Sequence, residues 1–196
     1  MASIDILGKM IPVSFKRAPD ATVAMDEGAL LAGARDMADK INGVRHWPPQ
    51  YRDAFRGMKE IVFFEGTITV NTHPISRSCC DEDDAVFYWE SSEFNQNSDA
   101  DVRANTFFHD CWHVVQFQRS GRFAASEDER LEREVDAVGE QIEVARLLGC
   151  SDHEVSHLEA FRTNHGAIVA RLAEGLERMF HRAGTRQAPS ALSARG

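Results

Sequence analysis

The stretch NTFFHDCWHVVQFQ, residues 105–118, constrains this chain more than any other. It sets His109 and His113 four residues apart, with Asp110 between them. An α-helix turns once in about 3.6 residues, so both imidazoles leave the same face. Phe107, Phe108, Cys111, Trp112, Val114, Val115 and Phe117 make the segment apolar nearly all round, which predicts a buried helix. Two histidines and a carboxylate in adjacent turns of a buried helix need a partner. The commonest one is a metal ion, because neutral imidazole is a ready zinc ligand and this spacing aims two rings at one ion. The bland alternative is a pair of core histidines with satisfied hydrogen bonds.

The chain around this helix reads as one α+β domain. At 196 residues it is long enough for a substantial core. A short strand is expected around residues 11–15 and a helix over 22–41, stopped by Gly43. Pro48 and Pro49 open a short helix over 50–56. β character follows. Residues 61–64 and 67–70 flank Glu65-Gly66, which reads as a tight hairpin. After a loop holding Cys79, Cys80 and the acidic run at residues 81–84, residues 85–94 read as a third strand. The central helix is expected over 99–119, capped near Ser98, and a second long helix over 127–148. Ser151 to Glu154 forms a capping box that opens a last helical segment. That segment pauses near residues 164–166 and resumes through Ile168, Leu172, Leu176 and Phe180. Residues 1–182 are thus read as a single domain, and residues 183–196 as a disordered tail.

Composition excludes several functions. A formal net charge of −9 argues against a nucleic-acid backbone or an anionic membrane as partner. The first residues lack the order of an export signal, and no run approaches a membrane span. The cysteines Cys79, Cys80, Cys111 and Cys150 are therefore expected as reduced thiols in a cytoplasmic protein.

The central segment also resembles the active-site helix of zincin metallopeptidases, whose motif is H-E-x-x-H; here it reads H-D-x-x-H. LEREVDAV at residues 131–138 resembles the third-ligand helix of the gluzincin group, in which a glutamate precedes an aspartate by four residues. HVVQ at 113–116 resembles small bacterial members. The resemblance covers residues 85–150. It implies an α+β, zincin-like fold with a small, mostly antiparallel sheet and a helical C-terminal half. The 85–94 strand would lie at the sheet edge beside the central helix and pair with substrate backbone. It implies zinc, or another divalent transition metal such as iron, held by His109, His113 and Glu132, with Asp136 holding an imidazole from behind. Asp110 would stand as general base, and the substrate would be a peptide or small molecule. Glu134 is the rival third ligand, because it lies nearer the apolar face of its helix than Glu132 does.

Aspartate is shorter than glutamate by about 1.5 Å, and a misplacement of that size can cost about 100-fold in rate. A non-peptidase metalloenzyme on the same scaffold, or a catalytically dead binding protein, therefore stays open beside the hydrolase. The His109-Asp110 doublet also resembles the all-helical HD-domain phosphohydrolases, with His73 as the one nearby upstream histidine. A second literal match, His153-Glu154-Val-Ser-His157, sits in a polar first turn, where Glu154 already serves Ser151 as capping partner. It reads as chance.

Overall fold

The computed structural model describes residues 2–97 and 99–164. Within them the chain is mixed α/β, with seven strands and six helices. The expected helix through 168–180, the tail at 183–196, Ser98, His165 and Glu177 lie outside the described residues.

β1 (Ala2–Ile6) and β2 (Lys9–Arg17) form an N-terminal hairpin through Leu7 and Gly8, both at positive φ. The expected strand at 11–15 is the middle of β2. Then come α1 (Glu27–Gly43), capped by the Asp26 carboxylate, and α2 (Pro49–Gly57). These helices carry the chain back, so that β3 (Glu60–Glu65) joins β2 in parallel. A small separate hairpin, β4 (Ile68–Val70) and β5 (His73–Ile75), turns on Asn71 and Thr72 at positive φ. β6 (Cys79–Asp81) and β7 (Val86–Glu90) complete a five-stranded sheet of order β1-β2-β3-β7-β6.

Three expectations about this sheet are corrected. It is mixed, not mostly antiparallel: β2, β3 and β7 run parallel, and β1 and β6 are the antiparallel flanks. Residues 61–64 and 67–70 do not form a hairpin. Ile61, Val62, Phe63 and Phe64 are all buried, the pattern of an interior strand covered on both faces. Gly66, at φ +82°, turns the chain out of the sheet, and the Asp20 carboxylate fixes that turn by accepting from Thr67 N–H. Finally, the third strand stops at Glu90 and is interior, between β3 and β6. Phe87 and Trp89 are buried, and a strand so apolar takes neighbours on both sides. The edge strand beside the central helix is β6.

The helical part positions the site. After α3 (Ser91–Gln96) comes α4 (Ala100–Ser120), the central helix. Phe107, Phe108, Cys111 and Val114 are fully buried, and Phe107 meets Phe87 of the sheet and Phe55 of α2. Trp89 and Trp112 are core residues. Gly121 ends α4 in the left-handed region, where a Cβ would be strained. Ser126 caps α5 (Glu127–Leu148) by accepting from Glu129 N–H. The pairs His109–Gln141, Trp112–Asp136 and Gln116–Arg133 show the two helices packed antiparallel. α6 (Asp152–Thr163) follows, with Ser151 as its cap. No helix of the described residues is long and apolar enough to cross a membrane.

Candidate metal centre

His109 and His113 project from α4 toward α5, as their spacing predicts. Their Nε2 atoms lie 3.1 Å apart. The α5 residue that meets them is Glu134. One carboxylate oxygen is 3.4 Å from His109 Nε2, and the other is 3.4 Å from His113 Nε2. Glu132, the residue the family spacing favoured, is exposed and lies outside this group, so the third-ligand assignment passes to its rival. The reason is helical phase: two residues rotate a side chain by about 200°, so Glu132 and Glu134 cannot both face α4.

Two buried glutamines fix the rings. Gln116 Nε2 donates to Arg133 C=O and to the Asp136 carboxylate, at 2.8 Å each. Both partners are pure acceptors, so the amide oxygen must face His113, and it lies 2.9 Å from Nδ1. His113 therefore donates from Nδ1. Gln141 repeats the device, with Nε2 donating to Asn105 C=O and Oε1 3.2 Å from His109 Nδ1. In both neutral rings the Nε2 lone pair is left free and aimed at Glu134. Asp136 was expected to hold an imidazole itself. Instead it holds Gln116 and the Trp112 indole N–H, and reaches His113 only through the amide.

This arrangement brings lone pairs of two imidazoles and a carboxylate together in a partly buried space, a repulsive set unless a cation sits among them. Donors bound to zinc at about 2.0–2.1 Å in a tetrahedron stand about 3.3–3.4 Å apart. The Nε2–Nε2 spacing of 3.1 Å is close to that, and Glu134 presents one oxygen to each ring at 3.4 Å. Among the described residues the donor atoms of His109, His113 and Glu134 form a group within 4.8 Å. The residues therefore fit a metal. Without one, a proton takes the cation's place. Burial alone would lower the His113 pKa, but the hydrogen bond and charge of Glu134 outweigh it and push it up to about 9. Burial would raise Glu134, but the two histidines hold it well below the usual carboxylate range.

If the glutamines set the tautomers, Gln116→Leu or Gln141→Leu should weaken metal binding about 10- to 100-fold without removing a ligand. Competitive titration against a chelator of known affinity checks this; unchanged affinity in both variants would show that the rings need no such support.

Two further carboxylates stand near. Asp110 is half-buried on the β6 side of α4, and its charge acts on Cys79, Cys80 and His113. Glu82, in the β6–β7 turn, belongs to the acidic run at residues 81–84, and a charge run in a loop is usually solvated. Here Asp81 is buried and Glu82 is half-buried, with its Oε2 4.0 Å from Arg133 Nη1. Sequence reasoning missed the part played by Gln116 and Gln141; the signal within reach was Gln116, one turn after His113 on a buried helix.

The other candidates do not assemble. His153 and His157 are exposed in the first turns of α6. His73 is exposed in β5, and the strands at residues 60–90 do not suit an all-helical HD domain. All four cysteines are unpaired. Burial pushes Cys79 and Cys150 up to about 12, and Cys80 and Cys111 well above their usual range, which makes them poor nucleophiles. An open cleft of about 460 Å³ is lined by Glu65, Arg77, Glu90 and Glu93 but by none of the three donors. Its carboxylates already accept from Ser91, Ser92, Ser78 N–H and Glu93 N–H. No protein-family model matches this chain, and no curated protein or solved structure matches it either.

Proposed function

We propose that this chain is a metal-dependent hydrolase of metallopeptidase type, with a divalent transition metal, zinc foremost, held by His109, His113 and Glu134. The observation that carries the reading is the convergence of two Nε2 atoms, on rings whose Nδ1 each faces a glutamine oxygen, on one carboxylate at 3.4 Å. Three protein donors leave a tetrahedral ion one position for water, the pattern of catalytic zinc rather than structural zinc. Zinc there supplies Lewis acidity toward a peptide or amide carbonyl and lowers the pKa of a coordinated water to about 7.

The surroundings support a zincin-like arrangement. An edge strand, β6, lies beside the helix that carries the histidines, and the returning helix brings the third donor. The unpaired edge of β6 can take an extended peptide backbone. Four unpaired cysteines suit a reducing, cytoplasmic setting. The replacement of the motif glutamate by Asp110 supports a second reading, a non-peptidase metalloenzyme on the same scaffold that acts on a small-molecule substrate.

The test is turnover of a mixed fluorogenic peptide-amide library by the zinc-loaded chain, with and without chelator. Cleavage that disappears on chelation and returns with zinc is expected. A metal-loaded chain that leaves the library intact but hydrolyses small amides or esters would favour the second reading.

A further inference from the structure

We infer that Glu134 holds the metal through both carboxylate oxygens, so that three residues grip the ion at four points; the inference rests on the metal centre proposed above. Each oxygen of Glu134 is the near neighbour of a different ring. Oε2 lies 3.4 Å from His109 Nε2, and Oε1 lies 3.4 Å from His113 Nε2. A carboxylate that binds through one oxygen brings that oxygen nearest to both of the other donors and turns the second away. Here the two oxygens stand level before the pair of rings, which is the pose of a chelating carboxylate.

The second oxygen has no other partner to serve. Metal-binding carboxylates are ordinarily steadied by a hydrogen bond of their own. The rings have such support, because Gln116 and Gln141 face their Nδ1 atoms. Among the described residues, no side chain other than the two rings and no backbone N–H bonds to either oxygen of Glu134. An ionised carboxylate offers acceptor sites on both oxygens, and an idle oxygen in a mostly buried side chain costs free energy. Chelation uses both.

The ring spacing agrees. Zinc–nitrogen bonds of about 2.0–2.1 Å that end on nitrogens 3.1 Å apart enclose an angle of about 95–100°. That lies between a right angle and the tetrahedral angle, so the rings stand closer together than four equal positions ask. Two imidazole nitrogens and two carboxylate oxygens supply four donor atoms. The ion is then five-coordinate, with water in the fifth position rather than the fourth.

The test loads cobalt(II), whose visible absorption reports coordination number, into wild type and Glu134→His in place of zinc. A tetrahedral cobalt ion absorbs several-fold more strongly than a five-coordinate one. Expected are a weak band in wild type and a several-fold stronger band in Glu134→His, because a third imidazole offers a single donor atom. A strong tetrahedral band in wild type would overturn the inference; the second oxygen would then rest on bound water. Equal weak bands in both proteins would overturn it too, since the count would not depend on Glu134. Zinc-edge X-ray absorption of wild type repeats the count without cobalt, and it decides the matter where Glu134→His does not fold or load. Five nitrogen and oxygen donors are expected there, and four would contradict the inference. A wild type that takes up neither metal would instead defeat the metal centre itself.

Discussion

Glu134→Ala, His109→Ala and His113→Ala should each abolish stoichiometric metal binding, whereas Glu132→Ala, His153→Ala and His157→Ala should leave it intact. The first three remove a donor from a group of three that converge within 4.8 Å of one another, and two remaining donors do not hold an ion against dialysis. The latter three are exposed and stand outside the group. The histidine variants should also melt at lower temperature than wild type, even without metal. Each leaves a buried glutamine amide oxygen without its donor, which costs about 1–3 kcal/mol. Glu134→Ala exposes two lone pairs to one another and should lose more stability than Glu132→Ala. Elemental analysis after exhaustive dialysis, with a melting curve on each variant, checks both halves. Metal retained in Glu134→Ala and lost in Glu132→Ala would restore the family spacing as the better guide.

Metal affinity should rise steeply with pH up to about 9 and then level off. In the metal-free chain the His113 pKa is raised from 6.5 to about 9. The proton it carries must leave before the ring can bind metal. Over the range from 6.5 to about 9 the apparent affinity should therefore climb roughly tenfold per pH unit, a few hundredfold in all. Stability of the metal-free chain should move the other way. A group whose folded pKa is raised contributes stability that is full below its unfolded pKa, here 6.5, and is lost as pH rises through about 9. Glu134 is depressed, so its contribution is present above 4.5 and is lost as pH falls below that value. The metal-free chain should be best supported by this pair between about 4.5 and 6.5. Saturating zinc should remove the loss of stability on the alkaline side. A melting-temperature series across pH, with and without zinc, reads both trends. A metal-free melting temperature that is flat from 6.5 to 9 would show that His113 is not held protonated by Glu134.

What the sequence made legible follows from what is local in it. The α4 and α5 helices announce themselves by periodicity and by their ends, Gly121, Ser126 and Gly149, so α5 falls on residues 127–148 as expected. His109 and His113 need one helix and one spacing. The third donor depends on the rotation of one helix against another, a tertiary quantity. The spacing of Glu132 to Asp136 pointed to Glu132, while the apolar face of Leu131, Val135 and Val138 pointed to Glu134, the residue that lies beside the two rings. Parallel pairing of β2, β3 and β7 is likewise non-local, and the run of buried residues at 61–64 was the available warning against a two-stranded hairpin. Gln116 and Gln141 carry no charge and no motif, so their part emerges only when the amide donors are traced to Asp136, Arg133 and Asn105.

The central claim is that two imidazoles and one carboxylate hold a single ion, and X-ray absorption at the zinc edge of the zinc-saturated chain reads that donor set directly. The account predicts one zinc per chain with nitrogen and oxygen scatterers at about 2.0–2.2 Å and no sulfur contribution. Sulfur at about 2.3 Å would place the ion on Cys79 or Cys80, and a chain that retains no zinc after dialysis would contradict the centre altogether.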